Sequence, residues 1–282
     1  MKGLRRKEAR PGQKQRRFRR RMEAYRLART GGVKRRFPRA AVPSFFTLMN
    51  LFCGYLSLVQ TLDGNLKNAV WLIVLAAFFD LLDGMMARLT NGSSLFGTEL
   101  DSLADIVSFG VAPSFILYVF GLRDAGTLGL IVSSLPAICG AVRLARFNVT
   151  FDGEKRDYFV GLPIPASASA LMAVMLAVHG DPWFERLGPS GFSILVPVVI
   201  VMCALMISNI RFDTIPKPTP AYLKAHPVKA MLNTVGFLLV VAFQQDGLLV
   251  VMALYLLHGI GRAVWGLIEA IRTTELPDEE PT

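Results

Sequence analysis

From residue 43 onward the chain is a succession of long apolar stretches broken by short polar ones. Each stretch runs for about 18 to 22 residues, long enough for a helix to cross a hydrocarbon core of roughly 30 Å. The pattern predicts eight spans, at 43–62, 69–88, 101–121, 126–146, 162–179, 191–209, 230–245 and 247–272. The expected fold class is therefore an all-α integral membrane protein that crosses the bilayer several times.

Composition supports the bilayer and rules out a soluble domain. The chain has 282 residues, 52% of them hydrophobic, more than a soluble domain of this size keeps off its surface. Charge divides it sharply. Residues 1–40 hold 17 Lys and Arg against Glu8 and Glu23, a segment charge of +15, while the remainder carries −5. The expected organisation is a basic arm at 1–42, a transmembrane catalytic domain at 43–272 and an acidic tail at 273–282.

A run such as Arg16-Arg17-Phe18-Arg19-Arg20-Arg21 placed just before a first span fits attraction to anionic cytoplasmic lipid better than nucleic-acid binding. No secretory signal peptide is expected, because some 40 polar residues precede the first apolar stretch. The arm should stay in the cytoplasm, and eight spans return the C-terminus to the same side. The loops agree. Those expected inside carry Arg143, Arg146, Lys155, Arg156, Arg211, Lys217, Lys224 and Lys229, and those expected outside only Lys67, Arg123 and Arg186. Cys53, Cys139 and Cys203 fall inside spans without metal-ligand or redox spacing, and His179, His226 and His258 are scattered, so none of the six is read as a site residue.

Against the apolar background two short segments carry acid. Asp80-Leu81-Leu82-Asp83-Gly84 ends the second span, with Arg88 one turn beyond Gly84, and Gly97-Thr98-Glu99-Leu100-Asp101 leads to Asp105 at the start of the third. Residues three or four apart share a helix face, so two antiparallel helices would bring Asp80, Asp83, Asp101 and Asp105 together. An ionised carboxylate in a membrane segment costs a few kcal/mol and is by default functional. Hard divalent cations with oxygen ligands, Mg2+ or Mn2+, would neutralise such a group. Two ions sharing a carboxylate such as Asp101 would suit displacement at phosphorus, at the cytoplasmic face of the membrane. Gly84 would admit a phosphate or nucleotide close to the helix backbone, with Gly97 opposite, and Arg88 would contact a diphosphate.

Read as a unit, Asp80 to Asp105 has the form D-x2-D-G-x2-A-R-x8-G-x3-D-x3-D, which resembles the signature of the CDP-alcohol phosphatidyltransferases at every defined position. The resemblance implies a helical membrane enzyme of the CDP-alcohol phosphotransferase fold, usually a homodimer, that displaces CMP from a CDP-linked lipid. It implies that Asp80, Asp83 and Asp101 bind one metal ion, that Asp101 and Asp105 help to complete a second, and that Asp105 is the general base. It further implies CDP-lipid contacts at Gly84, Arg88, Ser94 and the polar face from Ser44 to Thr47. Asn50 stands where many members have arginine. The stretches Ser108–Pro113, Arg143–Asn148 and Gly161–Ala166 resemble the membrane-type phosphatidylserine synthases, which implies CDP-diacylglycerol as donor and L-serine as acceptor.

Serine is a zwitterion, so its site needs a cation and hydrogen-bond acceptors. Arg143, Arg146 and Asn148 are the candidates, although arginines at a cytoplasmic span end also satisfy the positive-inside rule without touching substrate. Three rivals stay open: the same donor with glycerol phosphate, an inositol phosphate or choline as acceptor; an intramembrane prenyltransferase, whose two acidic motifs lie far apart in sequence; and a divalent-cation transporter, which leaves Gly84, Arg88 and Gly97 unexplained.

Overall fold

The computed structural model describes residues 41–90, 94–150, 158–180, 192–213 and 227–274. The basic arm, the tail from 275, His226 and the inside-loop cations Lys155, Arg156, Lys217 and Lys224 lie outside the described residues. Among the described residues there are eight α-helices: α1 (Ala41–Leu62), α2 (Leu66–Leu89), α3 (Leu95–Asp105), α4 (Ala112–Leu117), α5 (Gly126–Thr150), α6 (Ile164–Gly180), α7 (Phe192–Ile207) and α8 (Pro227–Thr274). Two π-helical segments, Ile106–Val111 and Tyr118–Leu122, join α3 to α4 and extend α4.

Among the described residues four helical stretches are long and apolar enough to cross a membrane, at Ala41–Leu62, Leu66–Leu89, Phe96–Val149 and Met231–Arg262, and Ile164–His179 and Ile194–Ile207 are shorter apolar helices. The third stretch has 54 residues, about 81 Å if straight, far beyond one hydrocarbon thickness. It is broken at Gly126, whose φ of 59° and ψ of −133° are not helical. Likewise α8 is broken at Gln244 (φ 46°, ψ −111°). The chain folds back there, for a Cβ added at Gly236 would lie 3.6 Å from Val251.

The expected helices are present with shifted ends. α3 begins at Leu95 rather than 101, and α5 runs to Thr150 rather than 146, so Arg143 and Arg146 are helical and not loop residues. Two short strands also interrupt the expected all-helical pattern. β1 (Tyr158–Val160) pairs antiparallel with β2 (Arg211–Asp213), Phe159 opposite Phe212. Phe212 is fully buried, its ring 6.0 Å from that of Tyr255 on α8.

Lipid supplies little hydrophobic drive between helices, so close packing and polar contacts hold them together. The Ser57 hydroxyl on α1 donates to the Ala69 carbonyl on α2 at 2.8 Å. Gly54 lets the π segment approach, since a Cβ there would collide with Ser108, and the Ser108 hydroxyl donates to the Asn50 carbonyl at 3.0 Å. In α5, Pro136 disturbs the backbone ladder, and the Ser114 hydroxyl accepts from the neighbouring Ala137 N–H at 3.1 Å, the kind of side-chain partner that makes proline tolerable in a membrane helix. Helix α6 lies deepest, with Ala168, Leu171, Met172 and Met175 almost wholly enclosed. Phe45, Phe52 and Tyr55 on α1 face outward, as a lipid-facing surface would. The three cysteines are buried and free.

Candidate active site

Helices α2 and α3 are joined by a short connection at residues 90–94, which keeps their acidic ends together. Ser94 caps α3, its hydroxyl accepting from the Gly97 N–H at 3.0 Å, the usual N-cap arrangement. Carboxylate oxygens of Asp80, Asp101 and Asp105 all lie within 4.8 Å of one another. At an effective dielectric near 20 each such pair repels by about 3 kcal/mol when both groups are ionised. Asp83, 6% exposed, stands beside Asp101.

Helix α1 holds this cluster in register from the other side. Its Thr47 hydroxyl donates to Asp83 Oδ2 at 2.9 Å, with the Pro43 carbonyl at 3.2 Å as a second acceptor. One turn on, Asn50 Nδ2 donates to Asp105 Oδ1 at 3.1 Å. Thr47 and Asn50 are both buried. Asn50 has no assigned task in the sequence reading beyond marking a departure from the commoner pattern. The signal that finds it is its i+3 spacing from Thr47, which puts two polar groups on one face of an apolar span.

A pocket of about 130 Å³ opens against the cluster, lined by Pro43, Ser44, Thr47, Asp83, Gly84, Ala87, Ser94, Gly97, Thr98 and Asp101. Five of the positions expected to contact the CDP-lipid, Ser44, Thr47, Gly84, Ser94 and Gly97, thus meet in one cavity. A Cβ built at Gly84 finds no atom within 4 Å, so this glycine keeps a space open and does not serve helix packing. Arg88, in the last turn of α2, is exposed and does not line the pocket.

The three residues expected to bind the acceptor are placed differently from one another. Arg146 is used locally: Nη1 donates to the Ile207 carbonyl at 2.7 Å and Nη2 to the Ser208 carbonyl at 3.1 Å. It thereby satisfies carbonyls at the C-terminal end of α7, where a cation is favoured. Gly161 completes this joint with a φ of 77°, and a Cβ on it would strike the Met206 carbonyl. Asn148 Nδ2 donates to the Ser102 hydroxyl at 3.1 Å. Arg143 is 8% exposed, and its Nε has no hydrogen-bond partner among the described residues.

Two observations decide whether a divalent cation fits. The donor set is oxygen only, converging within 4.8 Å from three helical positions, and Asp101 Oδ1 is buried with no hydrogen-bond partner among the described residues. An unpartnered buried carboxylate oxygen is costly, and a hard cation supplies what it lacks. The residues fit Mg2+ or Mn2+.

A predominantly helical membrane chain with clustered carboxylates beside a small polar pocket has the make-up of a membrane phosphotransferase. The chain belongs to the CDP-alcohol phosphatidyltransferase family, whose model matches residues 40–208. It is 37% identical over 229 residues to the CDP-diacylglycerol–serine O-phosphatidyltransferase of Helicobacter pylori (strain J99), covering 81% of this chain and 93% of that protein. It is 36% identical over 171 residues to the Bacillus subtilis protein of the same name, covering 61% and 89%. It is also 37% identical over 177 residues to the archaetidylserine synthase of Methanothermobacter thermautotrophicus, covering 62% and 70%.

Proposed function

We propose that this protein transfers the phosphatidyl group of CDP-diacylglycerol to the hydroxyl of L-serine, giving phosphatidylserine and CMP. The observation that carries the reading is the cluster of Asp80, Asp101 and Asp105 set against a pocket floored by Gly84, in a chain whose relatives are named for transfer to serine. The relatives named for CDP-diacylglycerol and for archaetidylserine differ in lipid and share serine, which favours serine over the other alcohols.

In this reading the pocket from Ser44 to Asp101 receives the CDP end of the donor, and Arg88 reaches its diphosphate from the helix end. The apolar groove of Leu48, Leu51, Phe52, Tyr55 and Val107 lies further along α1 on its outward face and suits an acyl chain. Asp80, Asp83, Asp101 and Asp105 would hold the divalent metal, one ion or two, which when bound neutralises charge developing on the diphosphate. The serine oxygen attacks the phosphorus bearing diacylglycerol, Asp105 takes the hydroxyl proton, and the bond to CMP breaks. Asn50 keeps Asp105 oriented for that transfer. Arg143 faces the acceptor, with Arg146 and Asn148 setting the wall behind it.

Each helical reversal adds a crossing, so the chain crosses the bilayer eight times, with both termini and the carboxylate cluster on the cytoplasmic side. The basic arm at 1–42 lies against anionic lipid, and the enzyme works as a homodimer. The test of the activity is purified protein in detergent with CDP-diacylglycerol, Mn2+ or Mg2+, and labelled serine or a competing alcohol. Labelled phosphatidylserine with matching CMP supports the assignment. CMP released only with another alcohol would change the acceptor, and no CMP with any acceptor would end the enzyme reading.

A further inference from the structure

Asp105 has a built environment on two sides, and each side ends in an unsatisfied buried atom. On one side is Asn50, fully enclosed. A carboxylate can only accept, so the Asn50 amide must turn its Nδ2 toward Asp105, as it does at 3.1 Å, and aim Oδ1 elsewhere. That Oδ1 is buried without a hydrogen-bond partner among the described residues. The position is rigid, because Ser108 holds the Asn50 carbonyl and Gly54 brings the π segment into contact.

On the other side is α5, which runs antiparallel to α3 and its π-helical extension. A Cβ at Gly110 would lie 3.3 Å from Ala137 Cα, and one at Gly140 would lie 3.6 Å from Ile106 Cδ1. Further along, Asn148 bonds Ser102. This register sets Arg143 level with Asp105, and the two groups interact electrostatically. Arg143 is nine-tenths buried with its Nε unpartnered among the described residues. An unpartnered amide oxygen and an unpartnered guanidinium Nε thus flank one carboxylate among the described residues. Leaving both without a ligand is costly, and a small zwitterion completes both.

We infer that Asn50 and Arg143 form the acceptor-recognition pair, Asn50 Oδ1 receiving the ammonium of the amino-acid alcohol and Arg143 its carboxylate. The inference rests on the serine reading and deepens it by dividing the two ends of the acceptor between two helices. It also accounts for asparagine at position 50, since an arginine there would repel an ammonium.

The test uses full-length protein with CDP-diacylglycerol and labelled serine, and two competitors that each keep half of the zwitterion: ethanolamine, without the carboxylate, and 3-hydroxypropionate, without the ammonium. Asn50→Ala should raise the serine KM by about tenfold or more, as removal of a partner of a charged group does, and weaken inhibition by ethanolamine while sparing that by 3-hydroxypropionate. Arg143→Ala should do the reverse, and the CDP-diacylglycerol KM should move by less than about twofold in both. Bound CMP reports folding. If an alanine variant fails to bind it, Asn50→Ser or Arg143→Lys replaces it with the same two inhibition constants read. Equal shifts for both competitors, or none, would overturn the assignment while leaving serine transfer intact. A wild-type protein that releases CMP with another alcohol and ignores serine would overturn both.

Discussion

The Gly84→Ala substitution separates a glycine kept for packing from one kept for a ligand. A packing glycine in a membrane helix has a neighbouring backbone against it, and a methyl group there forces the helices apart. At Gly84 the added Cβ meets no atom within 4 Å, and the residue lies inside α2 with an ordinary helical backbone. Alanine in that setting stabilises a helix by about 0.5 to 1 kcal/mol. For a domain of this size that is a rise of roughly 1 to 4 °C in Tm. The same methyl group projects into the pocket that Thr47, Asp83 and Asp101 also line. Crowding a well-fitted site by one methyl group typically costs about 1 to 3 kcal/mol, or roughly 5- to 150-fold in kcat/KM for the CDP-lipid. The two effects have opposite sign. Thermal unfolding in detergent and steady-state kinetics on the same preparation measure them together. A variant with higher Tm and unimpaired kcat/KM would refute the ligand role, and one with lower Tm would show that Gly84 packs against a neighbour after all.

Two further substitutions follow from the hydrogen bonds. Asp105→Asn should reduce turnover by at least about a hundredfold, the scale of a lost general base, while CMP binding persists through Asp83 and the Gly84 pocket; turnover within a few-fold of wild type would remove Asp105 from that role. Arg146→Ala should lower Tm, since the exposed and half-buried carbonyls of Ile207 and Ser208 lose their donors, at about 0.5 to 1.5 kcal/mol for a typical hydrogen bond. Its serine KM should change no more than its CDP-lipid KM, and a selective rise in the serine value would return Arg146 to direct contact with the acceptor.

The parts of this molecule that are legible in its sequence are those written locally. Hydropathy alone places α1 and α2 within a few residues, and the Gln244 reversal falls where the polar Gln244-Gln245-Asp246 interrupts the last apolar stretch. The acidic spacing brings Asp80, Asp101 and Asp105 together because two helices joined by a short turn leave them nowhere else to go. Contacts between distant segments were not legible. Nothing within α1 says that Thr47 meets Asp83 and Asn50 meets Asp105, 36 and 55 residues away. Arg143 and Arg146 look alike as span-end cations, yet the first is buried level with Asp105, while the second, nearly one turn further along α5, reaches the carbonyls at the end of α7. The π-helical segment after Asp105 packs against Gly54 and Ala137, contacts with distant parts of the chain that its own residues do not announce. Such segments favour functional sites.

Catalysis by a carboxylate-held metal is tested most directly by measuring Mn2+ bound at equilibrium and CMP released in the same samples, for wild type and Asp101→Asn, after chelation and stepwise return of the ion. Asp101 is the position to change because its buried Oδ1 has no hydrogen-bond partner among the described residues. Turnover should vanish on chelation, return in proportion to bound Mn2+ in the wild type, and stay absent in the variant together with the lost binding. Full turnover by metal-free protein, or undiminished Mn2+ binding and activity in Asp101→Asn, would contradict the account.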